Sequence, residues 1–110
     1  MSLPNRPPFK LETVLMMFIE YGHSGMNQLE ACKEYGESCL HTSVSTLYNQ
    51  HGIIFKRKQE NIKNRVGTTS RFTRYWFFSE RDERKAENLI NSFRKRRGLA
   101  PLLWGEEKLN

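Results

Sequence analysis

Apolar residues in the first fifty positions recur at helical spacing. In "FKLETVLMMFIEYG", Leu11, Val14, Leu15, Phe18 and Ile19 form one stripe, with Glu12 and Glu20 outside it, which predicts a first helix. "HSG" breaks it. "MNQLEACKEYG" predicts a second helix. Asn27 is its cap, Glu30 stands three residues on as in a capping box, and Gly36 is its stop. Leu29 and Cys32 are expected to face inward, and Ala31 is small enough for close helix contact. "GESC" is a turn, with Ser38 as the expected cap of a third helix. That helix, "HTSVSTLYNQHG", ends at Gly52. Leu40, Val44 and Leu47 mark its buried edge.

The period then changes. "IIFKRKQ" and "RFTRYWFF" read as strands rich in aromatic and β-branched residues. In the second, Phe72, Arg74, Trp76 and Phe78 share one face and Thr73, Tyr75 and Phe77 the other. "ENIKNRVGTTS", with Gly67, is expected as a long polar loop between them. A fourth helix opens at Ser79 with Asp82 three residues later. It carries an apolar stripe of Ala86, Leu89, Ile90 and Phe93 and ends in "RKRRG", where cations suit the negative helix end. The stripe either braces the domain or pairs two protomers as a homodimer. In the tail, "LAPLLWGEEKLN", Leu102, Leu103 and Trp104 are exposed unless they dock.

Three helices followed by strand, loop and strand is the order of a winged helix-turn-helix. The expected fold class is therefore α+β, mainly α, with a two-stranded β wing and an added C-terminal helix. The expected organisation is an extended segment at 1–9, a winged domain at 10–78, the C-terminal helix at 79–98 and a tail at 99–110. No internal repeat is present.

Charge sharpens this picture. The 110-residue chain has a net charge of +6, and its placement is uneven. Residues 1–52 hold three basic residues against five glutamates. Residues 53–74 hold seven basic residues against Glu60 alone. Such a segment suits a polyphosphate surface better than a solubility coat. No apolar run approaches the roughly 18 residues of a membrane span, and no secretory leader opens the sequence, so a cytoplasmic protein without membrane contact is expected. Two cysteines, Cys32 and Cys39, are too few for a secreted disulfide scaffold. With His41 they match no usual zinc spacing, so half-buried thiols and no metal are expected. No cofactor motif appears. Asp82 is the only aspartate, and no nucleophile stands beside a base at motif spacing, so the chain reads as a non-enzyme.

The pieces "MNQLEACKEYGESCLHTSVSTLYNQHG" and "TRYWF" resemble small winged helix-turn-helix proteins of phages and prophages, in which an "LN-x-x-E-A" helix leads to a "CLH-[ST]-x-[VI]-S-x-L" helix and an "x-R-Y-W" strand. The resemblance covers residues 11–78, with Met26 in place of the usual Leu. It implies a DNA-binding architecture more than a particular role.

In a winged helix the third helix enters the major groove. Its expected base contacts are His41, Thr42, Ser45, Thr46 and Asn49, since hydroxyls donate or accept and Asn can grip adenine at two points. The same residues would also serve as plain solvated positions. With no Lys or Arg on this helix, modest readout leaning to A·T is expected. Grip falls to the wing: Lys56, Arg57, Lys58, Lys63, Arg65, Thr68, Thr69, Arg71 and Arg74 are the expected phosphate contacts. Trp76, Tyr75, Phe77 and Phe72 serve either as core or as base-stacking platforms. Two functions compete. One is a phage transcriptional regulator, or a recombination or replication accessory factor, on double-stranded DNA. The other is an interaction protein that modulates a host DNA-processing protein through its basic face or through Leu102, Leu103 and Trp104.

Overall fold

The computed structural model describes residues 8–36 and 39–104; Ser38, the expected cap of the third helix, lies outside them. The fold is α+β. Helices α1 (Lys10–Tyr21), α2 (Gln28–Tyr35) and α3 (Leu40–His51) precede an antiparallel hairpin of β1 (Phe55–Lys63) and β2 (Thr69–Phe77), and α4 (Glu80–Arg96) follows.

α1 is the central helix. Val14, Leu15 and Phe18 are buried as the stripe predicts, Met17 is buried with them, and Leu11 and Ile19 lie at the rim. The buried arc is wider than the stripe because α1 is covered from two sides. Phe18 meets Phe55 and Phe77 of the hairpin at 4.7 and 5.9 Å between ring centres. Phe9, just before the helix, lies 5.0 Å from Phe93 of α4. Glu12, expected on the solvent side, is buried instead. Arg97 at the end of α4 donates to it from Nε at 3.0 Å and also from Nη2. A carboxylate leaves water only when such a partner replaces its hydration, and apolar periodicity cannot register that.

α2 keeps the predicted capping box. Asn27 Oδ1 accepts from Glu30 N at 2.9 Å, and Glu30 Oε1 accepts from Asn27 N at 3.1 Å. Its inward face differs from expectation: Leu29 is 44% exposed and Cys32 is exposed. Asn27, Glu30 and Ala31, spaced i, i+3 and i+4, turn inward instead. Polar bonds from Asn27 and Glu30 to the hairpin help to orient this short helix beside the core contact of Ala31. Cys32 and Cys39 are both exposed and not joined in a disulfide, rather than half-buried as expected.

α3 buries Leu40, Val44 and Leu47 as predicted, together with Ser43. Its first N–H, at Leu40, donates to Gln28 Oε1 of α2 at 2.6 Å. Gly52 ends it at φ +67, a left-handed conformation open to glycine at little cost.

The two strands are longer than predicted, and the turn shrinks to residues 64–68. Asn64 builds it: Oδ1 accepts from Val66 N at 3.0 Å and from Thr68 N at 3.1 Å. Gly67 takes φ +90. β2 also pairs on its other edge, where Met26 and Tyr75 exchange both backbone hydrogen bonds at 2.9 Å. Gly25 makes this approach possible. A Cβ there would stand 2.6 Å from Tyr75 O, and φ +71 with ψ −179 is a conformation nearly confined to glycine.

α4 starts at Ser79, whose Oγ accepts from Asp82 N at 3.4 Å. Asp82 Oδ1 also accepts from Ile54 N at 2.8 Å, so the chain's only aspartate ties α4 to the start of the hairpin. Ala86, Ile90 and Phe93 join the same core as α1, and Leu89 packs at its edge. The stripe is thus covered by its own domain. The described part of the tail, to Trp104, docks as well. Asn91 bonds both backbone groups of Leu102, and Arg94 Nε donates to Ala100 O at 2.8 Å. Leu102 and Trp104 pack against the core, while Leu103 stays 57% exposed.

Candidate nucleic-acid interface

The helical period that buries Leu40, Ser43, Val44 and Leu47 turns the opposite side of α3 to solvent. His41, Thr42, Ser45 and Asn49 are exposed there, and Thr46 is half-buried at the edge. Tyr48, 56% exposed, adds an aromatic ring that the sequence reading left out. The described part of this face carries no fixed charge. It offers hydroxyls, an amide, a phenol and an imidazole, the groups that read base edges by hydrogen bonding.

The hairpin begins three residues beyond Gly52, so its first cation lies within about 15 Å of the helix end. Register fixes which side chains share a face: Phe55 pairs with Phe77, Arg57 with Tyr75, Asn61 with Arg71 and Lys63 with Thr69. This face puts Phe55, Tyr75 and Phe77 on the core and, further out, carries Arg57, Arg71 and Lys63. The other face carries Lys56, Trp76, Lys58, Arg74, Glu60 and Phe72. Tyr75 and Phe77 therefore serve the core, whereas Trp76 and Phe72 are half-buried on the far side. Trp76 lines a depression of about 210 Å³ with Lys56, Phe78, His23 and Glu83.

The cations are not equivalent. Lys58, Lys63, Arg65 and Arg71 are exposed and make no ion pair among the described residues. Lys56 lies 5.4 Å from the centre of the Phe78 ring and Arg57 5.5 Å from that of Tyr75, which braces their stems without neutralising them. Arg65 and Val66, 82% exposed, form the tip. The Thr68 hydroxyl accepts from Asn64 Nδ2 and is part of the turn, while Thr69 is exposed.

Arg74 stands apart. Its guanidinium is spent inside the molecule. Nη1 donates to Ser24 O, Gly25 O and Glu30 Oε1 at 3.0–3.1 Å, Nη2 to Glu30 Oε2 at 3.0 Å, and Nε to both oxygens of Glu60 at 3.1 Å. Asn27 Nδ2 donates to Glu60 Oε2 at 2.6 Å. The hydrogen bond from Arg74, then that from Asn27, holds the Glu60 carboxyl below its ordinary value, against a lesser opposing effect of burial. Arg74 in turn is held above its ordinary value, chiefly by Glu30. Arg74 thus leaves the set of open phosphate donors and becomes the fastener between hairpin and α2. It also engages the hairpin's single carboxylate, which otherwise acts on Lys58 of the same face, so the remaining five cations face no opposing charge on their own strands.

Of the three tail residues considered as partner anchors, Leu102 and Trp104 are committed to the domain's own core and only Leu103 is open. Among the described residues no group of three or more His, Cys, Asp or Glu side chains can hold a metal ion, and no helix is long and apolar enough to cross a membrane. Comparisons of the chain with protein-family models, curated proteins and solved structures gave no significant match.

Proposed function

We propose that this chain is a winged helix-turn-helix protein that binds double-stranded DNA, acting as a phage-type transcriptional regulator or as an accessory factor in recombination or replication. One observation carries the reading: an exposed, uncharged hydrogen-bonding face on α3 runs directly into a hairpin with six cations outside the Arg74 cluster. The single bridge from Met26 to β2 adds support, since it gives the hairpin a rudimentary third strand between the first two helices. On this reading His41, Thr42, Ser45, Thr46 and Asn49 meet base edges, and Lys58, Lys63, Arg65 and Arg71, with Lys56 and Arg57, meet phosphates. The resemblance of residues 11–78 to small phage DNA-binding proteins points the same way.

The competing reading, a protein that modulates a host DNA-processing enzyme, loses one support. Two of its three anchor residues pack on their own domain. Selection of bound sequences from a random duplex library, read over a series of salt concentrations, tests the proposal. Retention of duplex with an affinity that falls steeply with salt is expected. No retention at low salt would sink it.

A further inference from the structure

α4 sorts its charges in a way that its own packing does not require. Arg81, Arg84, Lys85, Asn88, Ser92 and Lys95 are all exposed. Their spacing of i, i+3, i+4, i+7, i+11 and i+14 puts them on one outer face, along about 21 Å of helix. Most of the helix's acidic residues lie elsewhere: Asp82 and Glu87 are buried and Glu83 is half-buried, while Glu80 is exposed beside Arg84 at the start of the helix. A surface built only for solubility mixes both signs.

Helix electrostatics accounts for part of this. Arg94, Lys95 and Arg96 stand in the last turn, where the backbone dipole favours cations. Arg81 stands in the first turn, where it disfavours a cation, and Arg84 and Lys85 stand in the second, where the dipole gives them no support. Arg84 has an exposed partner, Glu80, at 3.9 Å, a contact of little consequence in water. Arg81 has no partner among the described residues.

Lys85 Nζ donates to Gly52 O at 2.9 Å, the carbonyl that closes α3. Asp82, one residue from Arg81, holds the backbone of Ile54 at the entrance to β1. The outer face of α4 therefore starts at the junction of the two elements that form the candidate interface. We infer that this face is a second phosphate-binding surface, which follows the duplex beyond the stretch held by α3 and the hairpin. Arg81, Arg84 and Lys85 are its principal contacts. The inference rests on the duplex-binding reading above and widens its footprint.

Salt titration of the full chain on random-sequence duplexes tests it, with binding followed by fluorescence anisotropy. Each phosphate contact contributes about 0.9 to the slope of log affinity against log salt. On a duplex of about 30 base pairs, Arg81→Gln/Arg84→Gln should lower the slope by about 2, and adding Lys85→Gln by nearly one more. On a duplex of about 12 base pairs, which offers no flank, these variants should titrate like the parent. The double variant leaves the bond to Gly52 intact, and melting curves check that each variant is folded. A hairpin variant, Lys63→Gln/Arg65→Gln/Arg71→Gln, is titrated in parallel. If it loses slope while both α4 variants match the parent on the long duplex, the inference is overturned and the duplex-binding reading stands. Equal losses on both duplexes overturn the flanking placement. Loss in the α4 variants but not in the hairpin variant supports the α4 surface and overturns the role given to the hairpin. No binding by the parent at low salt overturns both.

Discussion

The exposed face of α3 carries hydroxyls, an amide and an imidazole but no fixed charge. The hairpin that begins three residues later carries six cations outside the Arg74 cluster. The two regions also stand on different supports. α3 is seated by Leu40, Ser43, Val44 and Leu47, so its outer side chains are displayed from a fixed rod. The hairpin is seated only at its base, by Phe55, Tyr75 and Phe77, and is fastened to α2 by Arg74. Short, uncharged groups on a rigid helix suit the reading of base edges, where geometry decides. Long cationic side chains on a projecting hairpin suit phosphates, where the force is long-ranged and tolerant of position. The proposed function divides between them on that line.

The largest expected effect comes from stripping the hairpin. Replacing Lys58, Lys63, Arg65 and Arg71 with Gln should weaken duplex binding on the order of 100- to 1,000-fold near 0.1 M salt and flatten its salt dependence, as read by titration. All four are exposed, so the melting temperature should scarcely move.

Arg74→Gln should behave differently, and that contrast sharpens the division within the hairpin itself. Two carboxylates lose their shared partner, which should cost about 2–3 kcal/mol in urea denaturation. Duplex affinity should fall because the hairpin is no longer held to α2, yet the salt slope should stay at the parent value. A reduced slope would return Arg74 to the phosphate contacts. Gly25→Ala, which jams the same junction, should cost about 1–3 kcal/mol by the same assay.

On α3 the expected pattern is reversed. Asn49→Ala or Thr42→Ala should change stability by under about 0.5 kcal/mol. Each should shift the preferred sequence in a library selection, by about 1 kcal/mol of discrimination at the altered position. If both variants select the parent's sequences, α3 is scaffold and the division fails.

The smallest effect is one of pH. Folding holds Glu60 in its charged form, so its contribution is complete at neutral pH and fades only as acid protonates it, below the ordinary carboxylate value of 4.5. The stability gap between the parent and Glu60→Gln, about 1 kcal/mol, should stay constant from neutral pH down to that region and then close. A gap that widens in acid would show that the hydrogen bonds from Arg74 and Asn27 are not its source.

Much of this architecture was legible in apolar spacing and caps. The four helices, the stops at Gly36 and Gly52 and the faces of β2 follow from residues whose chemistry acts within a few positions of the chain. What escaped acts across it. Glu12 looked like a solvent position because its partner, Arg97, is 85 residues away. Leu29 looked like core because nothing local reveals that Asn27 and Glu30 are drawn toward the hairpin. Arg74 looked like one more cation of a basic run. Only the register, which sets it diagonal to Glu60, and the Met26 bridge, which brings α2 beside it, distinguish it from Arg71. The candidate site was legible as a set of residue types; the assignment of each cation to grip or to fastening was not.

The Glu12–Arg97 pair also bears on how the chain acquires its fold during synthesis. Glu12 leaves the ribosome 85 residues ahead of Arg97. A nascent chain that has produced α1, α2, α3 and the hairpin still lacks both the cation that permits Glu12 to leave water and the Ala86, Ile90 and Phe93 side chains that cover α1. Closure of so long a loop, rewarded only when both arrive together, ties burial of α1 to the emergence of α4.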